Sequence, residues 1–528
     1  MRRYAPWLVL SFGAALRLGL YFSRPSLSTD ETMTSLEIGT RSFTGLLHVL
    51  DSLQTAPPLF FWAVKLCTVI GGMSEYALRA VPLTLGLLVL FYTWRVGRRL
   101  MPEPFALTVL LLAAITPTLI QYSVTVKPYI GDAFLALLLV DLTLDVLQRP
   151  AERGPWWRLA AAGWAAVLMS APAPFFLAGV FVALLRTGVP RRLPVACATL
   201  WAVTFAPLYL FLYRPVAVSA YMQQFWGMSF FSPLAASGWS HVGAALLQAL
   251  DARPVTLPAI LAAGVLLGYG CWAWSHKPRP VPTLFGVPGL VVLVASLAHR
   301  YPVSGRLLVF LVPTLLLYIG AAIASVSARQ QAAGWTLAAL VVVLLAGIDV
   351  THPYRTPATR PAIAELRRHL GRGEPVYVAS SGSLAWGFYT TDWRVPDTAF
   401  LHGLLRLAGV PNSRGYHNSA SRGGPVGATE GDDLVLTGRG RQELLGLAPG
   451  TQWRDAGGYG LATHADSGWG ARESSRIRAA ASPTIWVVVA NPYPAAVEQE
   501  LTGAIELARG AVDTTFVVGG VRLTRYRF

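Results

Sequence analysis

From Tyr4 to about Val350 the chain is a succession of long apolar runs, separated by short polar turns. After Thr351 apolar and polar residues mix as they do in a globular domain. A helix needs about 20 apolar residues to cross the hydrocarbon of a bilayer. Runs of that kind fall at 5–23, 78–97, 104–122, 130–147, 156–171, 173–187, 193–213, 256–275, 281–298, 305–326 and 332–350. The pattern predicts a mainly α, polytopic membrane protein of about 11 spans over residues 1–350, followed by a soluble domain over 351–528. The stretch 57–70 is short, opens with Pro57-Pro58 and contains Lys65, which suits an interfacial or re-entrant helix better than a span.

Charge placement sets the orientation. If 57–70 does not cross, Arg2/Arg3, Arg95/Arg98/Arg99, Arg149/Arg153/Arg158, Arg186/Arg191/Arg192, Lys277/Arg279 and Arg329 all fall in loops on the side of the N-terminus. Basic short loops mark the cytoplasmic side. The expected arrangement is therefore an inner (plasma) membrane protein with a cytoplasmic N-terminus and an extracytoplasmic C-terminal domain. Segments 24–77, 214–255 and everything after 351 lie outside. In 24–77 a cap pattern at Thr29 or Asp30 predicts a helix over 29–47, with Leu36, Ile38 and Phe43 on the membrane surface. The tail reads as a small α/β domain, with helices at 360–370, through Trp386–Tyr389 and at 495–508. Its strands are expected at 375–379, 433–437, 484–490 and 521–526, with a turn at Ser380–Gly382. Such a domain would help bind or select an acceptor, or would only stabilise the membrane part.

Composition agrees with this division: 54% of the residues are hydrophobic and only 13% are charged. The net charge of +16 raises the question of nucleic acid. The arginines sit in turns or are scattered through the tail, with no basic stripe interleaved with aromatics, so no nucleic-acid partner is expected. Cys67, Cys197 and Cys271 all lie in apolar runs and read as small buried hydrophobes. Met1-Arg2-Arg3 before an apolar run without a small-residue cleavage site reads as an uncleaved first span.

Asp30 and Glu31 follow the first span by about seven residues. A carboxylate there could take a proton from an acceptor; Asp30 could equally be a helix cap. Cations gather on the same side: Arg79, Lys127, Arg300 and Arg306. Each alone could be a headgroup anchor; together they suggest an anion site where phosphate oxygens take charge-assisted hydrogen bonds. Lys127 is followed by Pro128, Tyr129 and Asp132, a set that would suit a sugar phosphate, although Asp132 could simply pair with Lys127. The chain has no Walker A sequence, His-Glu-x-x-His, Cys-x-x-Cys or Gly-x-Ser-x-Gly, and the Gly-rich run Arg422 to Gly431 reads as a loop. No cofactor and no metal ligand set is indicated, and a divalent-metal requirement stays open.

Six pieces in order resemble the GT-C membrane glycosyltransferases of the family 39 type, the group of protein O-mannosyltransferases and the lipid A aminoarabinose transferase. They are Asp30-Glu31-Thr32; Pro57-Pro58-Leu59-Phe60-Phe61-Trp62; Glu75-x-x-Leu78-Arg79-x-x-Pro82; Gly97-Arg98-Arg99-Leu100; Tyr122-Ser123-x-x-x-Lys127-Pro128-Tyr129; and Tyr301-Pro302-x-x-x-Arg306-x-x-x-Phe310-x-x-Pro313. The resemblance implies a GT-C fold and a polyprenyl-phosphate sugar as donor, used at the outer face with inversion. The acceptor would be a protein, lipid or polysaccharide. Asp30 matches the family's catalytic acid and Glu31 the residue beside it. Arg79, Lys127, Tyr129, Asp132, Arg300, Tyr301 and Arg306 become candidates for donor or phosphate binding. Ala56 stands where the family often has a charged residue or histidine. The alternative reading is a transporter or lipid flippase, which would place ionisable groups near the bilayer midplane; a catalytically dead scaffold is a third.

Overall fold

The computed structural model describes residues 4–55, 57–251, 256–276, 280–351, 357–371, 374, 376–378, 380–398, 401–402, 405, 435–436, 453–454, 483–490 and 495–528. Arg2, Arg3, Ala56, Lys277, Arg279 and the run Arg422 to Gly431 lie outside them.

The first half alternates long and short helices. These are α1 (Ala5–Ser23), α2 (Thr29–Thr40), α3 (Pro58–Gly71), α4 (Glu75–Leu100), α5 (Glu103–Ile115), α6 (Pro117–Tyr122), α7 (Tyr129–Gln148), α8 (Arg153–Met169) and α9 (Ala173–Leu185). Then come α10 (Arg192–Leu208), continued by a π turn Tyr209–Tyr213, and three short helices in the middle loop: α11 (Arg214–Ala217), α12 (Ala220–Phe225) and α13 (Ala236–Ala249). Next are α14 (Leu257–Ser275), α15 (Pro280–Leu297), a 3-10 turn Gly305–Leu311, α16 (Val312–Arg329) and α17 (Gln331–Thr351). Helix falls on every predicted span. By length and apolarity, six segments among the described residues could cross a membrane: Ala5–Ser23, Glu75–Leu100, Arg192–Ala217, Leu257–Ser275, Pro280–Leu297 and Gly305–Arg329. The architecture is thus a multi-pass helical membrane body, mainly α, with most of the remaining helices shorter or more polar. Helix α7, for example, carries Asp132, Asp141 and Asp145.

Three local expectations are corrected. The cap of α2 is Ser28, not Thr29 or Asp30: its Oγ accepts from the Glu31 amide at 3.3 Å, while the Glu31 carboxylate accepts from the Ser28 amide at 3.0 Å. This reciprocal capping box needs a hydroxyl three residues before a Glu, and of Ser28, Thr29 and Asp30 only Ser28 meets that spacing. Leu36 and Ile38 are fully buried and do not lie on the membrane surface, and α2 stops at Thr40. The run 104–122 is two helices, because Pro117 has no amide to offer the carbonyl of Ala113.

That break explains a buried cation. Arg17 on α1 is 0% exposed and donates to the carbonyls of Ala113 at 3.1 Å and Ala114 at 3.3 Å, among the last of α5. Its Nε donates to Ser123 Oγ at 3.1 Å, in the turn that leads to Lys127. A guanidinium thus satisfies helix-end carbonyls that have no intrahelical partner. Gly86 of α4 faces the same serine so closely that any Cβ would collide with it.

The tail carries α18 (Thr359–His369), α19 (Ser380–Thr390), α20 (Ala495–Leu507) and a sheet of β1 (Val376–Val378), β4 (Thr484–Ala490), β6 (Val521–Arg527) and β5 (Ala511–Val518), in the order β1-β4-β6-β5. A separate pair joins β2 (Val435–Leu436) to β3 (Trp453–Arg454). β1 runs parallel to β4, and the β4–β6 and β6–β5 pairs are antiparallel. The small α/β domain is as expected, with three differences. Helix α19 begins at Ser380, where the sequence predicts a turn, and neither β3 nor β5 is predicted; β5 has the half-polar sequence typical of an exposed edge. The sheet has its own apolar core around Trp486, Tyr377 and Tyr526, whereas Leu384, Phe388, Leu401 and Leu405 join the core of the membrane body.

Arg17→Met leaves the two α5 carbonyls unpaired, at about 1–3 kcal/mol each. Thermal unfolding in detergent should show a clearly lowered Tm, partly recovered by adding Pro117→Ala, which restores an amide facing Ala113. An unchanged Tm for Arg17→Met would show that those carbonyls have other partners.

Candidate active site

The site grows from the connector between α1 and α2. Because Ser28 caps α2, Asp30 is not needed as a cap, and its carboxylate meets Arg306 with Nη1 at 2.6 Å from Oδ2. Both remain accessible, with Asp30 44% and Arg306 33% exposed. Burial of the Asp30 carboxyl would raise its pKa, but the charges of Lys127 and Arg306 and the Arg306 hydrogen bond outweigh it, and the net direction is below the ordinary carboxylate value. Asp30 is therefore ionised at neutral pH.

Glu31, the next residue, faces inward. It is 1% exposed and accepts five hydrogen bonds: from Ser28 N and Oγ, Arg79 Nε and Nη2, and Val126 N. Arg79 is spent in the same knot, donating also to the carbonyls of Pro25 at 2.6 Å and Ser26 at 3.5 Å. These two candidates change role: neither has an atom left for a substrate. Their pairing fixes α2 to α4 and, through Val126, to the turn that bears Lys127.

Lys127 is 6% exposed; its Nζ donates to Gln54 Oε1 at 2.6 Å, and that oxygen also accepts from Thr34 Oγ1 at 3.0 Å. Burial and, less strongly, the charge of Arg306 bring the lysine pKa down to about 8 against the opposing pull of Asp30 and Glu31. It does not pair with Asp132. That carboxylate is buried with no hydrogen-bond partner at Oδ1 among the described residues and lies with Ser170, Pro172, Phe176 and Phe310 around a narrow gap. Tyr129 lies within the field of Arg306, Asp30 and Asp132, with its ring edge-on to Tyr122 at 5.0 Å. Tyr301 is a strut: its hydroxyl donates to Leu307 O at 2.7 Å and its ring packs on Phe175 at 4.9 Å, holding the turn that presents Arg306. The middle loop covers that turn, with Trp226 over the Arg306 guanidinium at 5.0 Å. Arg300 is exposed, and no contact ties it to Asp30, Lys127 or Arg306 among the described residues.

The structure therefore joins Asp30, Lys127, Tyr129 and Arg306, uses Glu31, Arg79 and Tyr301 as supports, and leaves Arg300 and Asp132 apart from that group. Two cations against one carboxylate give the cluster a charge of +1, suited to an anion reaching it from the accessible side at Asp30 and Arg306. Gln54 was missed because a lone polar residue in a loop carries no pattern. A separate group, Glu37, Asp51 and His402, brings one potential metal-ligand atom from each within 4.8 Å of the others. Arg41 lies among them, 2.6 Å from Glu37 Oε2 and 3.0 Å from Asp51 Oδ2, and already pairs with both acids.

Residues 55–213 match the family model described as dolichyl-phosphate-mannose-protein mannosyltransferase. The resemblance to GT-C glycosyltransferases of the family 39 type is borne out over that segment, which holds the pieces at Pro57–Trp62, Glu75–Pro82, Gly97–Leu100 and Tyr122–Tyr129. Asp30 and Arg306 lie outside the match and are brought to it by the contacts above. No curated protein matches the chain. Among solved structures, ArnT from Cupriavidus metallidurans bound to undecaprenyl phosphate is 14% identical, with 98% of this chain and 97% of that one covered and a TM-score of 0.49. An Archaeoglobus fulgidus oligosaccharyltransferase complex with zinc and sulfate is 13% identical, with 76% and 61% covered and a TM-score of 0.47. At these values the likeness is loose.

Glu31→Gln leaves the buried Arg79 without its counter-charge, a change that costs about 3–5 kcal/mol when a buried pair is broken. Thermal unfolding should show a large loss for Glu31→Gln and little change for Asp30→Asn, whose side chain is partly solvated. Equal losses for the two would remove the division between supporting and reacting carboxylates.

Proposed function

We propose that this chain is an integral-membrane glycosyltransferase of the plasma membrane, using a polyprenyl-phosphate sugar as donor and an acceptor on the extracytoplasmic side. The observation that carries the reading is the ionised, accessible Asp30 beside Arg306 and within the field of Lys127. The family match supports the donor class, since its description names a dolichyl-phosphate sugar. The orientation rests on the basic loops, and the division into a membrane body over 1–350 and an outer domain over 351–528 on the change of composition.

Asp30 takes the proton of an acceptor hydroxyl or amine as that atom attacks the sugar's anomeric carbon from the face opposite the phosphate. The bond from that carbon to the phosphate oxygen breaks, its electron pair stays with the phosphate, and a single displacement inverts the centre. The leaving group is a phosphate already anionic, so it calls for cations and not a general acid. Lys127 and Arg306 supply them, with Arg306 exchanging part of its contact with Asp30 for the incoming oxygens. Tyr129 borders the same space. A transporter would use unpaired midplane acids; here Asp141 pairs with Arg95 at 2.8 Å and with Arg99 at 2.7 Å, at the end of α4.

Asp30→Asn is expected to lower transfer about 10²–10⁴-fold with membrane insertion intact, measured as release of polyprenyl phosphate from a polyprenyl-phosphate sugar; undiminished turnover would remove Asp30 as base. Lys127 is charged below about pH 8 and neutral above it. The donor KM should accordingly rise as the pH passes through that value, and Lys127→Arg should abolish the rise. A donor KM flat from pH 7 to 9 in the unmodified protein would take Lys127 out of the phosphate site.

A further inference from the structure

The tail grips the connector that carries the base. Glu75, the first residue of α4, is 3% exposed and collects three donors: Arg24 Nε at 2.9 Å, Arg360 Nη1 at 2.8 Å and the Tyr389 hydroxyl at 3.1 Å. Two of them come from the tail. The same Tyr389 oxygen accepts from the Leu27 amide at 2.8 Å, one residue before the cap of α2 and three before Asp30. Arg360 binds the connector twice more, through its amide to Ser26 Oγ at 3.2 Å and Nη2 to Arg24 O at 2.9 Å. At the other end of α2, Gly39 lies against the Trp393 ring so closely that a Cβ has no room. Beyond it, His402 Nδ1 meets Asp51 Oδ2 at 2.6 Å.

A domain that only selected acceptors would have no cause to hydrogen-bond residues 24, 26 and 27. A domain that only stabilised the body could attach anywhere along it. Its contacts concentrate instead on the two ends of the helix that presents Asp30. The first turn of α2 is then set from two sides, by Glu31–Arg79 from the body and by Tyr389 and Arg360 from the tail. An error of about 1 Å in such a group can cost about 100-fold in rate.

We infer that Tyr389 and Arg360 are positioning residues, and that the C-terminal domain forms part of the scaffold that places Asp30 against Arg306. This rests on Asp30 being the base. Glu75 is the shared anchor: it is buried, belongs to α4, and is reached by body and tail together. Loss of the Tyr389 hydroxyl frees the Leu27 amide and removes one of the two donors on Glu75 Oε1, without emptying the space its ring fills.

The experiment compares Tyr389→Phe, Arg360→Lys and Asp30→Asn in the full chain. Amide hydrogen exchange over residues 24–34 should speed up about 10-fold in the first two, with Tm nearly unchanged, because only one or two hydrogen bonds are lost. Release of polyprenyl phosphate from a polyprenyl-phosphate mannose probe should show kcat lowered about 10- to 100-fold with the donor KM unchanged. The acid limb of the pH profile should move up, as Asp30 loses contact with the cations that hold its pKa down. Unchanged exchange over 24–34 overturns the clamp; faster exchange with kcat and acid limb unchanged overturns the positioning role. A fully active Asp30→Asn sinks the underlying catalytic reading instead, and the exchange arm still decides whether the clamp exists.

Discussion

The Glu31–Arg79 pair is the constraint on which the arrangement depends. Two charges withdrawn from water are costly unless every remaining hydrogen-bonding position is filled. Glu31 meets that condition with a capping amide and hydroxyl, a bidentate guanidinium and the Val126 amide. One carboxylate thus ties together the start of α2, the start of α4 and the turn after α6. Because the pair is dry and fully matched, its geometry is well defined, and so is the position of the residue that precedes Glu31.

Adjacent carboxylates consequently have different fates. Glu31 looks inward and is consumed by the fold. Asp30, rotated about 100° around the same helix, looks out toward Arg306 and Lys127. Their charges keep it ionised, and it leaves their combined charge short of balance by one. That imbalance makes the place receptive to a phosphate while preserving a base beside it. The supports lie a layer further away: Tyr301 under the Arg306 turn, Gln54 under Lys127, and Arg17 behind the turn that leads to it. The tail adds Tyr389 and Arg360 to the same layer.

Much of this was legible in the chain, for reasons that differ by residue. Apolar runs of membrane length produced the helical body, because a span must be apolar throughout and leaves a long, unmistakable trace. The tail strand β4 was legible because it is buried on both faces and so is almost wholly apolar. Strand β5 was not, lying at an exposed edge. As residue types Asp30 and Glu31 look alike, both being acids in a first turn; the family resemblance singles out Asp30, and the location of the cap is what turns Glu31 inward. Arg79 and Lys127 looked alike as cations at helix ends, yet one is neutralised by a partner 48 residues earlier in the chain. Arg17 passed unnoticed because a single arginine in an apolar run reads as an end-of-span charge; its role depends on a proline 100 residues away. Pairings of that kind are properties of packing and leave no local pattern.

The most direct measurement is a structure of the full chain in a lipid bilayer with a polyprenyl phosphate bound. The phosphate should sit between Lys127 Nζ and the Arg306 guanidinium, with Asp30 within reach of an acceptor on the open side and the Glu31–Arg79 pair unchanged behind it. A phosphate held elsewhere, or Asp30 turned away from both cations when it binds, would contradict the claim that this cluster is the reaction centre.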